Sequence, residues 1–311
     1  MASMLTCPIA VLGEALVDEF HDGPVAGGAP FNVARSLAAL GVPTLFISRI
    51  GADDANGRLV QQSALRYELT AEGLQLDAAH ATGLVSVHER PGGGHDFEIH
   101  GDAAWDHLDT PLAHAALAGM PASVIYFGSL AQRHAVSRAA VRALVKPFAG
   151  LHFFDLNLRP GTDNALLAAE SLMLADWVKV NDEELARLAA WFADAAQDEP
   201  AQVAALMDRF ALQRLVLTCG AEGWRFYGPG GELLAAGAGE PQPRLVDTVG
   251  AGDAFTALLL AGLALQRDLT ATLALANRYA AFVCGLRGPL PPDPQALAPW
   301  RDALQALPPS P

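Results

Sequence analysis

The alternation of short apolar segments with amphipathic segments is the feature that most constrains the fold of this chain. The apolar segments predict strands at residues 9–13, 44–48, 124–127, 151–155, 177–180 and 215–218. Helical spacing of apolar residues predicts helices at 30–40, 54–66, 136–148, 182–191 and 201–210. Strands that alternate with helices favour a parallel arrangement, so the sequence predicts an α/β fold with a mostly parallel sheet between helices.

Residues suited to ligand binding, most of them polar, follow several of the predicted strands. They are Asp18, Asn157, Arg159, Asn181 and Gly220. In open α/β folds, ligands collect beyond the carboxyl ends of the strands. We therefore expect one cleft to contain these residues.

Two segments, 15–26 and 82–101, interrupt the alternation. In the second segment, residues 83–89 and 95–100 flank a Pro-Gly-Gly-Gly turn. Apolar and polar residues that alternate on both sides of a glycine turn predict a β-hairpin.

The composition indicates a globular protein that acts on small molecules. The 311 residues are 51% hydrophobic and 17% charged, which is enough for one large core. The net charge of −14 disfavours nucleic acids and anionic membranes as partners. The three cysteines are widely spaced, and the N-terminus lacks a signal-peptide pattern, so we expect a cytoplasmic protein.

Two common phosphate-binding motifs are excluded. The only lysines, Lys146 and Lys179, each follow a valine, so the chain contains no GxxxxGK[ST] loop. The first strand leads into Gly-Glu-Ala-Leu and not into a GxGxxG turn. If the protein binds phosphate groups, it must therefore hold them by a motif other than these two.

The sequence Gly-Ala-Gly-Asp at 250–253 precedes an apolar helical segment. Glycines let backbone amides approach an anion, and the positive end of a helix favours negative charge there. We expect the amides of Gly250, Ala251 and Gly252 to stabilise a transferring phosphoryl group. Asp253, kept ionised by the helix start, would then accept a proton as a general base. In the alternative interpretation, Asp253 only caps the helix.

Two motifs resemble signatures of the ribokinase (PfkB) family of carbohydrate kinases. Residues 247–255, Asp-Thr-Val-Gly-Ala-Gly-Asp-Ala-Phe, resemble the C-terminal signature, and residues 27–34, Gly-Gly-Ala-Pro-Phe-Asn-Val-Ala, resemble the N-terminal one. The resemblance covers residues 9–288, and residues 13–18, 27–30 and 155–159 are most similar to fructokinases. It implies a ribokinase-like three-layer fold, with residues 1–311 forming a single kinase domain. Segments 15–26 and 82–101 would form a small β-lid over the sugar, and the lid is a candidate homodimer contact.

The resemblance also implies the binding residues. The sugar-binding residues would be Asp18, Gly27, Gly28, Asn32 and Arg159, with Asp54 as a further candidate. The nucleotide-binding residues would be Asn181, Thr218, Gly220, Gly223 and Asn277. Glu184 would hold the Mg²⁺ of Mg-ATP through water, and Asp247 and Thr248 are candidates for a K⁺ site.

The expected reaction is transfer of the ATP γ-phosphoryl group to a sugar hydroxymethyl, most closely as in fructokinases. One alternative substrate is 2-keto-3-deoxygluconate or another sugar acid, whose carboxylate would need Arg90 or Arg159. A nucleoside substrate and a non-catalytic sugar-binding role also stay open. The histidines at 88, 95, 100 and 107 lack the spacing of a zinc site, so the sequence does not predict one.

Overall fold

The computed structural model describes residues 7–21, 23–89, 95–159, 161–195, 198–241 and 245–310. The strands are Ile9–Leu12 (β1), Leu16–Phe20 (β2), Gly23–Gly27 (β3), Thr44–Gly51 (β4), Leu74–Asp77 (β5), Gly83–Glu89 (β6), His95–Ile99 (β7), Val124–Gly128 (β8), Leu151–Asp155 (β9), Trp177–Asn181 (β10), Arg214–Thr218 (β11), Trp224–Tyr227 (β12) and Leu233–Gly237 (β13). The α-helices are Ala29–Ala39 (α1), Ala55–Arg66 (α2), Thr110–Gly119 (α3), Ala135–Val145 (α4), Ala165–Leu172 (α5), Asp182–Phe192 (α6), Glu199–Phe210 (α7), Ala251–Ala264 (α8), Leu269–Cys284 (α9) and Ala298–Gln305 (α10).

The larger sheet has nine strands in the order β13-β12-β11-β10-β9-β8-β1-β4-β5. The seven strands from β11 to β5 pair in parallel, whereas β12 and β13 pair antiparallel at one edge. The mostly parallel sheet predicted from the alternation is thereby confirmed. All six predicted strands belong to this sheet, and five of the six differ from prediction by one to three residues at an end.

Helices cover both faces of the larger sheet and complete three layers. Along β1, Ile9 and Val11 join a core with residues of α1, α8 and α9, whereas Ala10 and Leu12 join a core with residues of α4 to α7. Successive side chains of a strand point to opposite faces, so this alternation follows from strand geometry. The predicted three-layer α/β fold class is confirmed.

Side-chain caps explain why several helices begin where predicted. Asp54 accepts a hydrogen bond from the Gly57 amide before α2, and Asn181 accepts one from the Glu184 amide before α6. Pro30 occupies the first turn of α1, and Gly41 follows its end with a φ of +83°. Near the C-terminus, a 3₁₀ turn, Pro294–Leu297, leads directly into α10.

The two interrupting segments form a separate four-stranded sheet in the order β3-β2-β6-β7. The antiparallel pairing of β6 with β7 confirms the predicted hairpin, although its Pro-Gly-Gly-Gly turn lies outside the described residues. Leu16, Val85 and Val87 pack this small sheet against Trp105 and Leu130. The small sheet therefore has its own apolar contact with the body of the protein.

Several elements do not appear in the sequence-based prediction. They are β5, β12, β13, α3 and α5. None of the helices within the described ranges combines the length and apolar character that a membrane span requires.

Candidate active site

The N-terminus of α8 has the geometry expected of an anion site. Gly250 is its N-cap, has a φ of +81° and offers no side chain, so no side chain caps the first amides of the helix, although the Ala251 amide donates to the Thr248 carbonyl at 3.3 Å. The helix begins at Ala251, which makes Asp253 its third residue. Capping by Asp253, the alternative considered from sequence, is therefore wrong.

Two contacts fix the glycine turn in place. A Cβ on Gly250 would lie 2.4 Å from Cβ of Pro289, so the turn packs directly on that proline. A Cβ on Gly252 would lie 3.3 Å from Nζ of Lys179. The Lys179 ammonium group is consequently close to the backbone that is expected to bind phosphate.

Lys179 belongs to a buried polar cluster that joins three elements. Its Nζ lies 3.1 Å from both carboxylate oxygens of Asp155, and Oγ1 of Thr256 donates to Asp155 at 2.9 Å. Lys179 and Asp155 are 6% and 1% exposed, so a pair of opposite charges lies in the core. Neither residue was predicted to be functional from the sequence, where Lys179 serves only to exclude a P-loop.

Asp253 is held by an amide from α1. Asn32 Nδ2 donates a hydrogen bond of 2.7 Å to Asp253 Oδ2. Burial raises the pKa of Asp253 above its ordinary value, and the hydrogen bond from Asn32 opposes this rise. Burial therefore opposes the effect of the helix start, and the expectation that Asp253 stays ionised there remains a prediction.

A buried arginine fixes the orientation of the Asn32 amide. Arg35 Nη2 donates to Asn32 Oδ1 and to the carbonyl of Ala26, and Arg35 Nη1 donates to Ser63 Oγ. The guanidinium lies between the rings of Phe31 and Tyr67, at 4.2 and 5.5 Å from their centroids. Sequence reasoning missed Arg35. The one indication in the sequence was its spacing, since it follows Phe31 by four residues and so lies on the same face of α1.

Asp18 on β2 lies close to the paired glycines. A Cβ on Gly27 would lie 2.2 Å from Asp18 Oδ2, and one on Gly28 would lie 2.7 Å from the carbonyl oxygen of Glu14. Gly28 also has a φ of +105°. Burial raises the pKa of Asp18 to about 7, against the opposing charge of Arg35.

Glu14 is a second acid that the sequence analysis did not select. It is 3% exposed, and its Oε2 has no hydrogen-bond partner among the described residues. Burial raises the pKa of Glu14 to about 8, and the negative charge of Asp253 adds to the rise. The one indication of Glu14 in the sequence is that a charged residue directly follows the predicted strand at residues 9–13.

Arg159 supplies positive charge to the same region. The charge of Arg159 lowers the pKa values of Glu14, Asp18 and Asp253, although its side chain is exposed. Its backbone amide donates to Thr162 Oγ1 at 3.3 Å. Arg90, the other arginine considered for a substrate carboxylate, lies outside the described residues.

Asn181 and Glu184 form a reciprocal cap at the start of α6. Glu184 Oε2 accepts from the Asn181 amide at 2.9 Å, and Glu184 Oε1 accepts from the Leu158 amide at 2.8 Å. Burial raises the pKa of Glu184, and the charge of Lys179 opposes the rise. In these contacts Glu184 stabilises the start of α6 and the chain after β9. Its predicted role in metal binding stays a prediction.

The remaining residues predicted to bind nucleotide lie at the end of β11, in the turn after it, and on α9. Thr218 ends β11, and Gly220 and Gly223 follow it with φ values of +51° and +102°. A Cβ on Gly223 would lie 2.0 Å from the Gly237 carbonyl. Asn277 Nδ2 donates to the Ala238 carbonyl at 2.9 Å, so α9 is joined to the chain after β13.

Asp247 and Thr248 precede the glycine turn and contact the end of α9. The amides of Val246 and Asp247 donate to the Cys284 carbonyl at 2.9 and 3.2 Å. Asp247 Oδ1 accepts from Val249, and the Thr248 carbonyl accepts from Ala251. A cavity of about 670 Å³ borders this region, with Arg35, Asp247 and Pro289 in its wall.

The structure thus brings Asp18, Asn32 and Asp253 together with three groups that sequence reasoning missed, Glu14, Arg35 and Lys179. Asn181 and Thr218 end neighbouring parallel strands, in register with one another. Asn277 and Gly223 meet instead through the chain that follows β13.

Comparison with known proteins gives one family. The description "pfkB family carbohydrate kinase" matches residues 9–296. A fructokinase from Klebsiella pneumoniae is 32% identical over 96% of this chain and 98% of its own length.

Two solved structures have the same fold over almost their whole length. An uncharacterized sugar kinase from Pyrococcus horikoshii, in complex with ATP, has 26% identity and a TM-score of 0.77, covering 96% of this chain and 100% of that one. A double mutant of the fructokinase from Vibrio cholerae O395, with fructose, ADP and potassium ion bound, has 25% identity and a TM-score of 0.78. That likeness covers 96% of this chain and 99% of the Vibrio chain.

Proposed function

This chain belongs to the pfkB family of carbohydrate kinases, and on that premise we propose that it phosphorylates fructose at a hydroxymethyl group. It is an ATP-dependent phosphotransferase that acts on a sugar. The observation that carries the proposed chemistry is the 2.7 Å hydrogen bond from Asn32 to Asp253 in the first turn of α8. This hydrogen bond holds the Asp253 carboxylate beside the backbone amides at the start of α8, which are able to donate to a phosphoryl group.

Asp253 is the proposed general base. A base works best when its pKa lies near the working pH, because a weakly basic carboxylate gains little by accepting a proton. Burial moves the pKa of Asp253 in that direction. The carboxylate would orient the sugar hydroxyl and accept its proton as the bond to phosphorus forms.

The amides around Gly250, Ala251 and Gly252 are the proposed anion site for the moving phosphoryl group. Phosphoryl transfer depends mainly on positioning and on stabilising spread negative charge. The open N-terminus of α8 offers donors, and the nearby Lys179 ammonium adds a positive field. Mg²⁺, when bound with ATP, would neutralise further phosphate charge.

Asp18 and Asn32 are the proposed hydrogen-bonding groups for the sugar, with Gly27 and Gly28 beside them. A carboxylate and an amide can bind neighbouring hydroxyls of a sugar. The small sheet carries Asp18, and α1 carries Asn32. The sugar would therefore lie between the small sheet and the body, with the charge of Arg159 close by.

The nucleotide is proposed to lie beyond the ends of β10 and β11. Asn181, Thr218 and Gly220 stand at these strand ends, where ligands bind in open α/β folds. Gly223 and Asn277 would border the adenine. Each oxygen of Glu184 accepts one backbone hydrogen bond and keeps a lone pair, which suits Mg²⁺ binding through water.

A monovalent cation site is proposed at Asp247 and Thr248. Their loop contacts the end of α9 and leads directly into the glycine turn. A K⁺ ion held there by oxygen ligands would support the turn that binds phosphate. The potassium ion in the Vibrio fructokinase structure supports testing K⁺ first.

The small sheet is the proposed lid of a single kinase domain. Closing it over the sugar would exclude water and so favour transfer to the sugar hydroxyl over ATP hydrolysis. Val25 and Phe97 on this sheet are 39% and 40% exposed, which gives it apolar surface for a homodimer contact as well.

A sugar acid such as 2-keto-3-deoxygluconate is the second candidate substrate. The supporting observation is that the exposed Arg159 acts electrostatically on Asp18 and Asp253. Its guanidinium offers a planar pair of donors to a carboxylate.

The experiment is sugar-dependent ADP formation with Mg-ATP across fructose, ribose, 2-keto-3-deoxygluconate and a nucleoside. The proposal predicts the highest kcat/KM with fructose. Selective turnover of the sugar acid, lost in Arg159→Gln, would replace fructose with the second candidate. Absence of turnover with all four compounds by folded, ATP-binding protein would contradict the proposed substrate.

A further inference from the structure

Two of the segments that connect the larger sheet to the small sheet, the one before β6 and the one after β7, pass one cluster of side chains. His80 lies between the end of β5 and the start of β6, and Asp102 and His107 follow the end of β7. The amide of Ala104 donates to the Ala81 carbonyl at 2.7 Å, so the two segments already contact each other. The cluster therefore stands at the base of the small sheet.

The three side chains converge on one point. His107 Nε2 lies 2.8 Å from Asp102 Oδ1, and His80 Nε2 lies 3.9 Å from the same oxygen. The potential ligand atoms of all three residues lie within 4.8 Å of one another. Both histidine side chains are partly buried, at 28% and 20% exposure.

The tautomer of His80 is set by a buried aspartate. Asp77 accepts hydrogen bonds from the amides of Ala79 and His80 and forms an ion pair with Arg49, so it acts only as an acceptor. His80 Nδ1 must therefore donate in its 2.9 Å contact with Asp77 Oδ2. A carboxylate that orients a histidine in this way is typical of metal-binding histidines.

This arrangement leaves a lone pair facing a negative charge. In its neutral form with the proton on Nδ1, His80 presents the lone pair of Nε2 towards the Asp102 carboxylate. Two acceptors that face each other are stabilised by a cation between them. Imidazole nitrogen with one carboxylate is a ligand set that Zn²⁺ and related transition metals prefer, whereas Mg²⁺ prefers oxygen.

We propose that His80, Asp102 and His107 bind a divalent transition metal ion of the zinc class. The ion takes one nitrogen from each histidine, one oxygen from Asp102 and water, as in three-ligand zinc sites. The two rings are stacked at 3.7 Å with planes 13° apart, so they turn on binding to direct both Nε2 atoms at the ion. His107 then carries its proton on Nδ1.

The site differs from the histidine pattern rejected in the sequence. His88 lies 3.8 Å from Glu98, and His100 Nε2 lies 2.9 Å from Ser86, so both belong to the small sheet and not to this cluster. His107 has His80 as its neighbour because the segment after β5 and the 3₁₀ turn Ala104–His107 come together in space. The bound ion would connect the segment that leads into the β6–β7 hairpin with the segment that leaves it.

The test is a Zn²⁺ titration of the full-length protein after treatment with EDTA, followed by calorimetry with a competing chelator. We expect one ion per chain, and His80→Gln, His107→Gln and Asp102→Asn each to weaken binding more than about tenfold, since even outer partners of ligands contribute roughly 10- to 100-fold. His88→Gln, a 64% exposed histidine outside the cluster, is the matched control.

Histidine-ring NMR of the parent protein provides the second readout. Zn²⁺ should shift the Nε2 resonances of both His80 and His107 and leave those of His88 in place. Asp102 is 77% exposed, so Asp102→Asn keeps the fold even where a histidine variant does not. Absence of Zn²⁺ binding by the parent, or equal binding by Asp102→Asn with unshifted ring resonances, would overturn the proposal.

Discussion

Asn32 connects the proposed catalytic base to a buried arginine. Arg35 donates to the amide oxygen of Asn32, which leaves the amide nitrogen to donate to Asp253. Because arginine has only donors, the orientation of the Asn32 amide is determined by this contact. The direction of the hydrogen bond to Asp253 is therefore set within α1, 221 residues earlier in the chain.

Removing this hydrogen bond should change the pH dependence of the reaction. The bond from Asn32 lowers the pKa of Asp253, so Asn32→Ala should raise that pKa. A base acts only when deprotonated, and the acidic limb of kcat/KM should move to higher pH by roughly 0.5–1 unit. The measurement is a pH profile of kcat/KM.

Gln213→Ala is the matched control, because Gln213 also donates an amide hydrogen bond to an aspartate, Asp176, at 2.9 Å. Asp176 directly precedes β10 and Gln213 directly precedes β11. They therefore lie at the amino ends of the strands, whereas the proposed site lies at the carboxyl ends. An unmoved acidic limb in Asn32→Ala would show that Asn32 does not act on the base.

Glu14 should make the stability of the protein depend on pH. Its pKa is about 8 in the folded protein against an ordinary value of 4.5, so between these values the folded state retains a proton that the unfolded state has lost. The free energy of unfolding should therefore fall as pH rises from about 4.5 to 8. Glu14→Gln should be more stable than the parent at pH 8 by roughly 1–3 kcal/mol, and by much less at pH 5.

Urea unfolding at pH 5 and pH 8 measures this difference. Glu222→Gln, whose side chain is 78% exposed, provides the control and should be close to neutral at both pH values. A Glu14→Gln variant with the same stability change at pH 5 and pH 8 would contradict the raised pKa.

At the scale of elements, the start of α8 depends on its neighbours. Gly250 packs on Pro289, and Gly252 lies next to Lys179, which in turn pairs with Asp155 on β9. Thr256 of α8 donates to that same aspartate. Two strands and one loop therefore hold the N-terminus of the helix in place.

Gly250→Ala should disrupt this arrangement. Its φ of +81° costs a non-glycine residue roughly 1–2 kcal/mol, and the new Cβ would collide with Pro289. We expect a loss of at least that free energy of unfolding, together with a rise in KM for ATP, measured by urea unfolding and steady-state kinetics.

Gly119→Ala, at the exposed end of α3, is the control, because its Cβ meets nothing within 4 Å among the described residues. That variant should be neutral or slightly stabilised, since alanine favours helix. Equal stability of Gly250→Ala and the parent would contradict the structural account of the turn.

At the scale of the molecule, local sequence patterns predicted the helices and strands of the sheet core. Burial made most residues of the central parallel strands apolar, and caps such as Asp54 and Asn181 marked helix starts. The edge strand β5 was missed because it is four residues long and Leu76 in it is 53% exposed. A short, half-exposed strand carries too little apolar pattern to be distinguished from a loop.

Two glycine motifs in the sequence indicated part of the candidate site. Residues whose partners come close only in the folded chain were missed. Lys179 and Asp155 are 24 residues apart, and Thr256 is 101 residues from Asp155. Arg35 and Glu14 likewise act through side chains on other elements. Their roles depend on burial and pairing, which a single sequence does not state.

The central claim is that Asp253 is the base for phosphoryl transfer to the sugar. The most direct measurement compares kcat of the parent and Asp253→Asn with fructose and Mg-ATP, with ATP affinity and thermal unfolding measured on both. Asp182→Asn, an exposed aspartate in the first turn of α6, is the matched control. We expect kcat of Asp253→Asn to fall by about 10²- to 10⁴-fold, with ATP binding and folding retained. Turnover within a few-fold of the parent would contradict it.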